Sequence, residues 1–274
     1  CIRDRMHASM KAFQALFDQL DRMNGTNAKV KTLAEHFRST PAADAAWALH
    51  LMLGKRRRRL VTGRRLRDIL RDRGGLPEWL IADCHGQVGD SAETISLLWP
   101  AIKDRIHVEP TDRSSINADQ PLHWWMEDLL PAIGALKDDE QADAVLSLWK
   151  ALPDERHFIV NKLLTGGFRV GVSTGLISRA LATAFALEDT LVVQRLMGGF
   201  KPSAAAFVAL TRPQEPEEQQ SSGVPYPFFL ASPLEPERLA DTQASTWQVE
   251  WKWDGIRGQL IHRGSGVYLS LIHI

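Results

Sequence analysis

Apolar residues recur with helical spacing through most of the chain. MKAFQALFDQLDRM places Phe13, Leu16, Phe17 and Leu20 at i, i+3, i+4 and i+7, one apolar stripe of a helix. NAKVKTLAEHFRS repeats the spacing with Val30, Leu33, Ala34 and Phe37. Thr40-Pro41 reads as an N-cap followed by proline in the first turn, opening AADAAWALHLML. Further helical segments are PEWLIADCHGQV, SAETISLLWPAI, PLHWWMEDLLPAIGAL, DEQADAVLSLWKAL, PDERHFIVNKLL, TGLISRALATAF and TLVVQRLM. Pro153, Asp154 and Glu155 make a helix start, with acidic side chains where the helix dipole favours them. No alternating run long enough for a sheet occurs before residue 245.

The pattern changes after residue 211. Residues 212–223, RPQEPEEQQSSG, carry no apolar side chain apart from proline and read as a linker. VPYPFFLASPLE follows, proline-rich and extended. In TWQVEWKWDG the alternation is strict, with Trp247, Val249, Trp251 and Trp253 on one face and Gln248, Glu250, Lys252 and Asp254 on the other. Asp254-Gly255 is a turn signal, and GQLIHR and GVYLSL read as strands. The expected fold is therefore mainly α, with an all-helical domain over 1–211, a linker over 212–223 and a β-containing segment over 224–274. No internal repeat is present.

Composition narrows the class without deciding the function. Of 274 residues, 44% are hydrophobic and 24% charged, as in a globular protein that buries a core. Lys+Arg and Asp+Glu both total 33, so the formal net charge is zero. That balance neither supports nor excludes a nucleic-acid partner, since phosphate binding depends on how charge is clustered. Cys1 and Cys84 give neither a disulfide framework nor zinc spacing, and the nine histidines are scattered without HExxH or CxxC. Reducing cytosol is the default compartment for such a chain. No apolar run approaches the roughly 18 residues of a membrane span, and CIRDRMHASM has neither the apolar region nor the cleavage site of a signal peptide. The chain opens on Cys1, while MKAF at Met10 makes a better start, and SLIHI ends it without turn or cap. It reads as a fragment, with residues 1–9 and 270–274 as non-native ends.

Three stretches carry candidate chemistry. Period two puts Glu250, Lys252 and Asp254 on one polar face, where a lysine on a rigid strand can act as a nucleophile. A free lysine titrates at about 10.4, so its amine must be kept neutral by burial or nearby cations, Arg257 among them. The competing reading is a surface hairpin with Asp-Gly at its turn and a solvated Lys252. GGFRVGVS lies between two helices, and Ser173 is a fair N-cap for the second. Glycine-bearing turns at a helix N-terminus offer free N–H groups to a phosphate, with Lys162 and Arg169 adding charge nearby. The alternative is a glycine-rich connection without a ligand. KRRRRLVTGRRLRDILRDR, residues 55–73, holds ten basic residues against two acidic ones. Either Arg56, Arg57, Arg58 and Arg59 belong to a phosphate-contacting patch, or the stretch is a solvated helix face with Asp68 and Asp72 making local pairs. Its lack of aromatics favours duplex backbone over stacked single strands. Trp124-Trp125 reads as core, and Cys84 and the histidines as packing or surface.

Residues Glu250 to Arg257, EWKWDGIR, fill every fixed position of E-x-K-x-D-G-x-R. The stretch resembles the nucleotide-attachment motif of covalent nucleotidyltransferases: ATP-dependent DNA ligases, RNA ligases and mRNA-capping enzymes. The helical part is similar to the N-terminal DNA-binding domain of ATP-dependent DNA ligases of bacterial and archaeal type. The resemblance lies in TNAKVKTLAEHF, PEWLIADCHGQVGDSAETI, LPDERHFIVNKLLTGGFRVGVSTGLISRALA and PYPFFLASPLE, and it covers most of residues 10–269. RVGVS, Arg169 to Ser173, is its most specific piece.

The resemblance implies an all-helical DNA-binding domain followed by the first β-strands of a truncated α+β adenylation domain. Lys252 would attack the α-phosphate of ATP, forming lysyl-AMP and releasing pyrophosphate, with Glu250 by the adenine and Arg257 by the ribose. AMP would pass to the 5′-phosphate of a nick, and the 3′-hydroxyl would then seal it. Mg²⁺ would neutralise the phosphates. The implied partner is nicked double-stranded DNA and the implied state a monomer. The implied setting is the cytoplasm, at the nucleoid, in DNA replication, repair or recombination. Arg169, Gly171, Ser173, Lys162 and Arg56 to Arg59 would contact DNA. The chain lacks the family's later arginine, carboxylates, lysines and OB-fold, and it offers no metal ligands. Residues 1–274 are therefore expected to bind DNA without self-adenylating. The alternatives are a non-catalytic DNA-binding module and an RNA ligase of the same superfamily.

Overall fold

The computed structural model of the chain describes residues 10–54, 59–107, 116–168, 171–213, 225, 243–247, 251, 255, 257–263 and 265–272. The chain divides into two compact units, one of Cys1–Leu187 with Lys201–Pro213, the other of Glu188–Phe200 with Gln214–Ile274.

The first unit is helical. Its elements are α1 (Met10–Arg22), α2 (Thr26–Ser39), α3 (Ala42–Met52), α4 (Gly63–Gly74), α5 (Glu78–Val88) and α6 (Ser91–Leu98). Then follow α7 (Leu122–Trp124), α8 (Leu130–Ala135), α9 (Asp138–Ala151), α10 (His157–Thr165) and α11 (Thr174–Phe185). α12 (Asp189–Met197) belongs to the second unit, and α13 (Ala204–Thr211) returns to the first. The apolar stripes become the core: Phe13, Leu16, Phe17 and Leu20 of α1 and Val30, Leu33, Ala34 and Phe37 of α2 are all buried. α2 packs against α11, α3 against α13, and α6 against α10. Trp99, Trp125 and Trp149 are the largest fully buried side chains. The Trp149 indole N–H donates to Asn161 Oδ1 at 2.8 Å, and the His157 ring bonds the Trp149 carbonyl at 2.9 Å, while the buried Trp125 indole N–H and Asn161 Nδ2 have no hydrogen-bond partner among the described residues. Trp125 is core as expected, while Trp124 beside it is half-buried.

One local expectation is corrected. Thr40 does not cap α3. It lies extended at the end of α2, where its N–H donates to the His36 carbonyl at 3.0 Å, and Pro41 occupies the N-cap position without a side-chain bond. The proline ring keeps Thr40 out of the helical region, which ends α2 at that residue. Pro131 continues its helical segment, as the sequence pattern reads it. A π-helical turn over Trp125–Leu129 precedes it, a widening that accommodates a ring with no N–H to offer Glu127. The start of α7 borrows its cap from another helix. Asp44, almost wholly buried in α3, accepts the His123 backbone N–H at 3.0 Å and the His123 ring at 2.6 Å.

In the second unit, β1 (Arg257–Arg263) pairs antiparallel with β2 (Gly266–Ile272), from Arg257 opposite Ile272 to Arg263 opposite Gly266. GQLIHR and GVYLSL are therefore strands, joined by a two-residue connection at 264–265. Leu260, Val267, Leu269 and Leu271 share one face of this hairpin and are exposed, while Ile261 on the other face is buried. The strand expected over TWQVEWKWDG falls largely outside the described residues. At Trp247 and Trp251, which are described, no ladder forms, and Trp251 is 86% exposed. Alternation says which side chains would share a face, but a strand also needs a paired neighbour.

Candidate nucleic-acid interface

The GGFRVGVS loop is built by the helices on either side. α10 ends on Gly166 in the left-handed conformation at φ 68°, the helix stop that glycine adopts without a Cβ clash. Phe168 then turns inward and is buried, stacking on Phe13 at 5.4 Å and tilting on Phe17 at 5.3 Å. Arg169 and Val170 lie outside the described residues. Gly171 has φ 61°, again left-handed. Ser173 is the N-cap of α11, with its hydroxyl accepting the Leu176 N–H at 3.2 Å. Helix geometry leaves the Thr174 and Gly175 N–H groups without intrahelical acceptors, and both residues are exposed. The loop therefore presents outward N–H groups at the positive end of a helix dipole.

Lys29, which the sequence pattern did not single out, completes this surface. It sits in the first turns of α2, and its Nζ donates to the Gly171 carbonyl at 3.3 Å. At the far end of the same helix, Arg38 donates to the carbonyls of Ala184 and Thr183 at 3.2 and 3.3 Å, where α11 ends. α2 and α11 thus run side by side in the same direction, pinned at both ends. The pin at the loop end holds the ammonium of a half-buried lysine beside the α11 N-terminus. Its only sequence signal was position on the polar side of the α2 stripe, 142 residues from its partner.

The basic stretch is tied by its backbone to the end of α10, where the loop begins. Leu60 and Val61 N–H both donate to the Leu164 carbonyl, at 3.0 and 3.1 Å, in the last turn of α10. Arg59, exposed, is therefore anchored near the start of the loop, while Arg56, Arg57 and Arg58 lie outside the described residues. Beyond Val61 the stretch becomes α4, and four of its five arginines are spoken for within the chain. Arg71 pairs with Asp68 and Asp72, Arg73 with Asp139 and Asp143, Arg65 with the Asp138 carbonyl and Arg67 with Ser91. The hydrogen bond to Asp72 is the main reason the Arg71 guanidinium titrates above its ordinary value, and it holds the Asp72 carboxyl below its own. From Arg65 to Arg73 the stretch is thus a helix face with local pairs, leaving Arg64 and Arg59 largely in solvent.

Lys162 is placed differently from the other candidates. Its Nζ is 2.7 Å from Asp90 Oδ2, and its side chain is only 17% exposed. Asp90 is the N-cap of α6, its Oδ1 accepting the Glu93 N–H at 3.0 Å. Burial pushes the Asp90 carboxyl up, but the Lys162 ammonium and the N–H groups of Glu93 and Ala92 outweigh it and hold the group below the ordinary value.

Glu250 and Lys252 lie outside the described residues, and Arg257 opens β1. Among the described residues no cluster of three or more His, Cys, Asp or Glu could hold a metal ion, so the expected Mg²⁺ finds no ligand set there. No helix among them is long and apolar enough to cross a membrane. The family described as DNA ligase N terminus matches the chain over residues 9–182, and no curated protein matches it.

Proposed function

Because the chain belongs to the DNA ligase N-terminus family, we propose that it serves ATP-dependent sealing of nicks in duplex DNA. Its share of that task is to grip the duplex backbone at the GGFRVGVS loop. The observation that carries this reading is the Lys29 ammonium beside Gly171 at the Ser173-capped N-terminus of α11, with exposed Arg59 next to the backbone anchor on the end of α10, where the loop begins. These groups match what a phosphodiester offers: N–H donors and a dipole for the oxygens, and cations whose binding releases condensed counterions. None of them reads a base edge, which suits an enzyme that must close breaks in any sequence. Arg169, Gly171, Ser173 and Arg56 to Arg59 are the backbone contacts in this reading.

Lys252 is the proposed nucleophile. Its neutral amine takes the AMP group from ATP, pyrophosphate leaves, and the amine proton is lost. AMP then passes to the 5′-phosphate of the nick and is displaced by the 3′-hydroxyl. Glu250 and Arg257 hold the nucleotide. This assignment rests on the E-x-K-x-D-G-x-R motif, and no step in it is routed through Mg²⁺.

Two measurements test the reading. Fluorescence anisotropy of labelled duplexes should show the chain binding nicked DNA in preference to nicked RNA; equal binding would favour the RNA-ligase alternative. In a sealing assay with a ligase carrying these residues, Lys252→Ala should abolish sealing from ATP yet still join a nick that already bears AMP. Sealing from ATP by that variant would exclude Lys252 as the nucleophile.

A further inference from the structure

Lys162 belongs to the helix that carries the GGFRVGVS loop, yet its ammonium points to Asp90, in the turn before α6. The pair is short, at 2.7 Å, and largely shielded, with the lysine side chain 17% and the aspartate 34% exposed. Both carboxylate oxygens are used, Oδ2 by Lys162 and Oδ1 by the Glu93 N–H. The Thr94 hydroxyl secures the same turn by donating to the Asp90 carbonyl at 2.7 Å. The ammonium also lies 5.2 Å from the centroid of the Phe158 ring, one turn earlier on α10. Phe158 tilts on Phe17 at 5.8 Å, Phe17 on Phe168 at 5.3 Å, and Phe168 is the third residue of the loop. A continuous path of packed groups thus runs from Asp90 through Lys162 and three rings into GGFRVGVS.

We propose that Asp90 and Lys162 are a positioning pair for duplex DNA, fixing α10 against α6 so that the loop meets the backbone in a set orientation, without either residue touching the DNA. A lysine already held by a carboxylate would have to give up that partner to reach a phosphate, and breaking a shielded pair leaves an uncompensated charge. Packed rings transmit the placement because close-packed side chains do not deform continuously. The inference rests on the loop being the DNA-gripping surface.

Salt dependence separates positioning from direct contact, because each phosphate neutralised contributes about −0.9 to the slope of log K against log[salt]. Nicked-duplex affinity is measured from low to moderate salt for the chain and for Lys162→Met, Lys162→Arg and Asp90→Asn. Lys162→Met should weaken binding by roughly two- to thirtyfold with an unchanged slope, and Lys162→Arg should recover most of the loss. Asp90→Asn keeps a capping side chain and removes a negative charge, so simple electrostatics predicts tighter binding; the positioning pair predicts weaker binding with the wild-type slope. The proposal is overturned if Lys162→Met lowers the slope by about one, if Asp90→Asn binds more tightly, or if both bind like wild type. Should Lys162→Met fail to fold, Asp90→Asn and Lys162→Arg still decide. Failure of the underlying reading looks different: Lys29→Ala and Arg59→Ala would then bind with wild-type affinity and slope.

Discussion

His157 is wholly buried beneath Trp99 and Trp149, its ring bonded to the Trp149 carbonyl. Burial lowers its pKa below the ordinary imidazole value, against the carbonyls of Trp149 and Leu152 and the Asp154 carboxylate, which favour the charged ring; Lys103 adds to the lowering. Above about pH 6.5 the ring is neutral in both folded and unfolded chains and adds no pH dependence. Below that value the unfolded chain takes up a proton that the folded chain refuses. Stability therefore falls with pH, by up to about 1.4 kcal/mol per pH unit, until the lowered folded value is reached. Denaturant unfolding at pH 7.5 and 5.5 should show this loss, and His157→Gln should reduce it; an equal loss in the variant would place the sensitivity elsewhere. Two glycines make an opposed pair. A Cβ on Gly134 would lie 2.9 Å from Leu60 Cβ and 3.3 Å from its Cα, so Gly134→Ala should cost about 1–3 kcal/mol. A Cβ on Gly86, inside α5, meets nothing within 4 Å, so Gly86→Ala should gain about 0.5–1 kcal/mol by helix propensity. Thermal unfolding of the two variants, with shifts of opposite sign, checks both.

At the scale of elements, the helices that carry an apolar stripe and a capping side chain were legible in the sequence. α11 begins and ends where TGLISRALATAF does, because Ser173 supplies the cap and Ile177, Ala180 and Leu181 the buried stripe. α4 was harder to see, since arginines outnumber the three apolar residues that bury it, Leu66, Ile69 and Leu70. What periodicity could not supply is the meeting of distant parts of the chain. Lys29 at Gly171, Asp44 at the start of α7 and Leu60 at Leu164 join positions far apart in sequence, and each depends on packing that no local pattern encodes. The same holds for Lys162, whose ion pair with Asp90 joins two helices and follows from no local pattern. The basic stretch can be divided by mutation in the same way. Arg73, held by Asp139 and Asp143, should be neutralised to glutamine with no change in the salt slope of DNA binding, whereas Arg59→Gln should flatten it. Equal effects of the two substitutions would mean that α4 itself lies on the DNA.

For the whole molecule, a net charge of zero hides a division of labour among its cations. Arg71 and Arg73 of α4, and Lys162, are neutralised within the fold, while half-buried Lys29 and exposed Arg59 stand at the edge of one loop. Overall composition could not reveal the proposed DNA-binding surface, because the signal is where the cations stand and not how many there are. Membership of the DNA ligase N-terminus family covers residues 9–182, which include that loop and the first nine of the twelve residues of α11. Whether the chain grips duplex backbone there is best decided by the salt dependence of nicked-duplex binding for Lys29→Ala combined with Arg59→Ala. Binding should weaken, and the slope of log K against log[salt] should shrink in magnitude by about two, one for each phosphate no longer neutralised. Wild-type affinity with a wild-type slope would show that the loop does not hold the duplex.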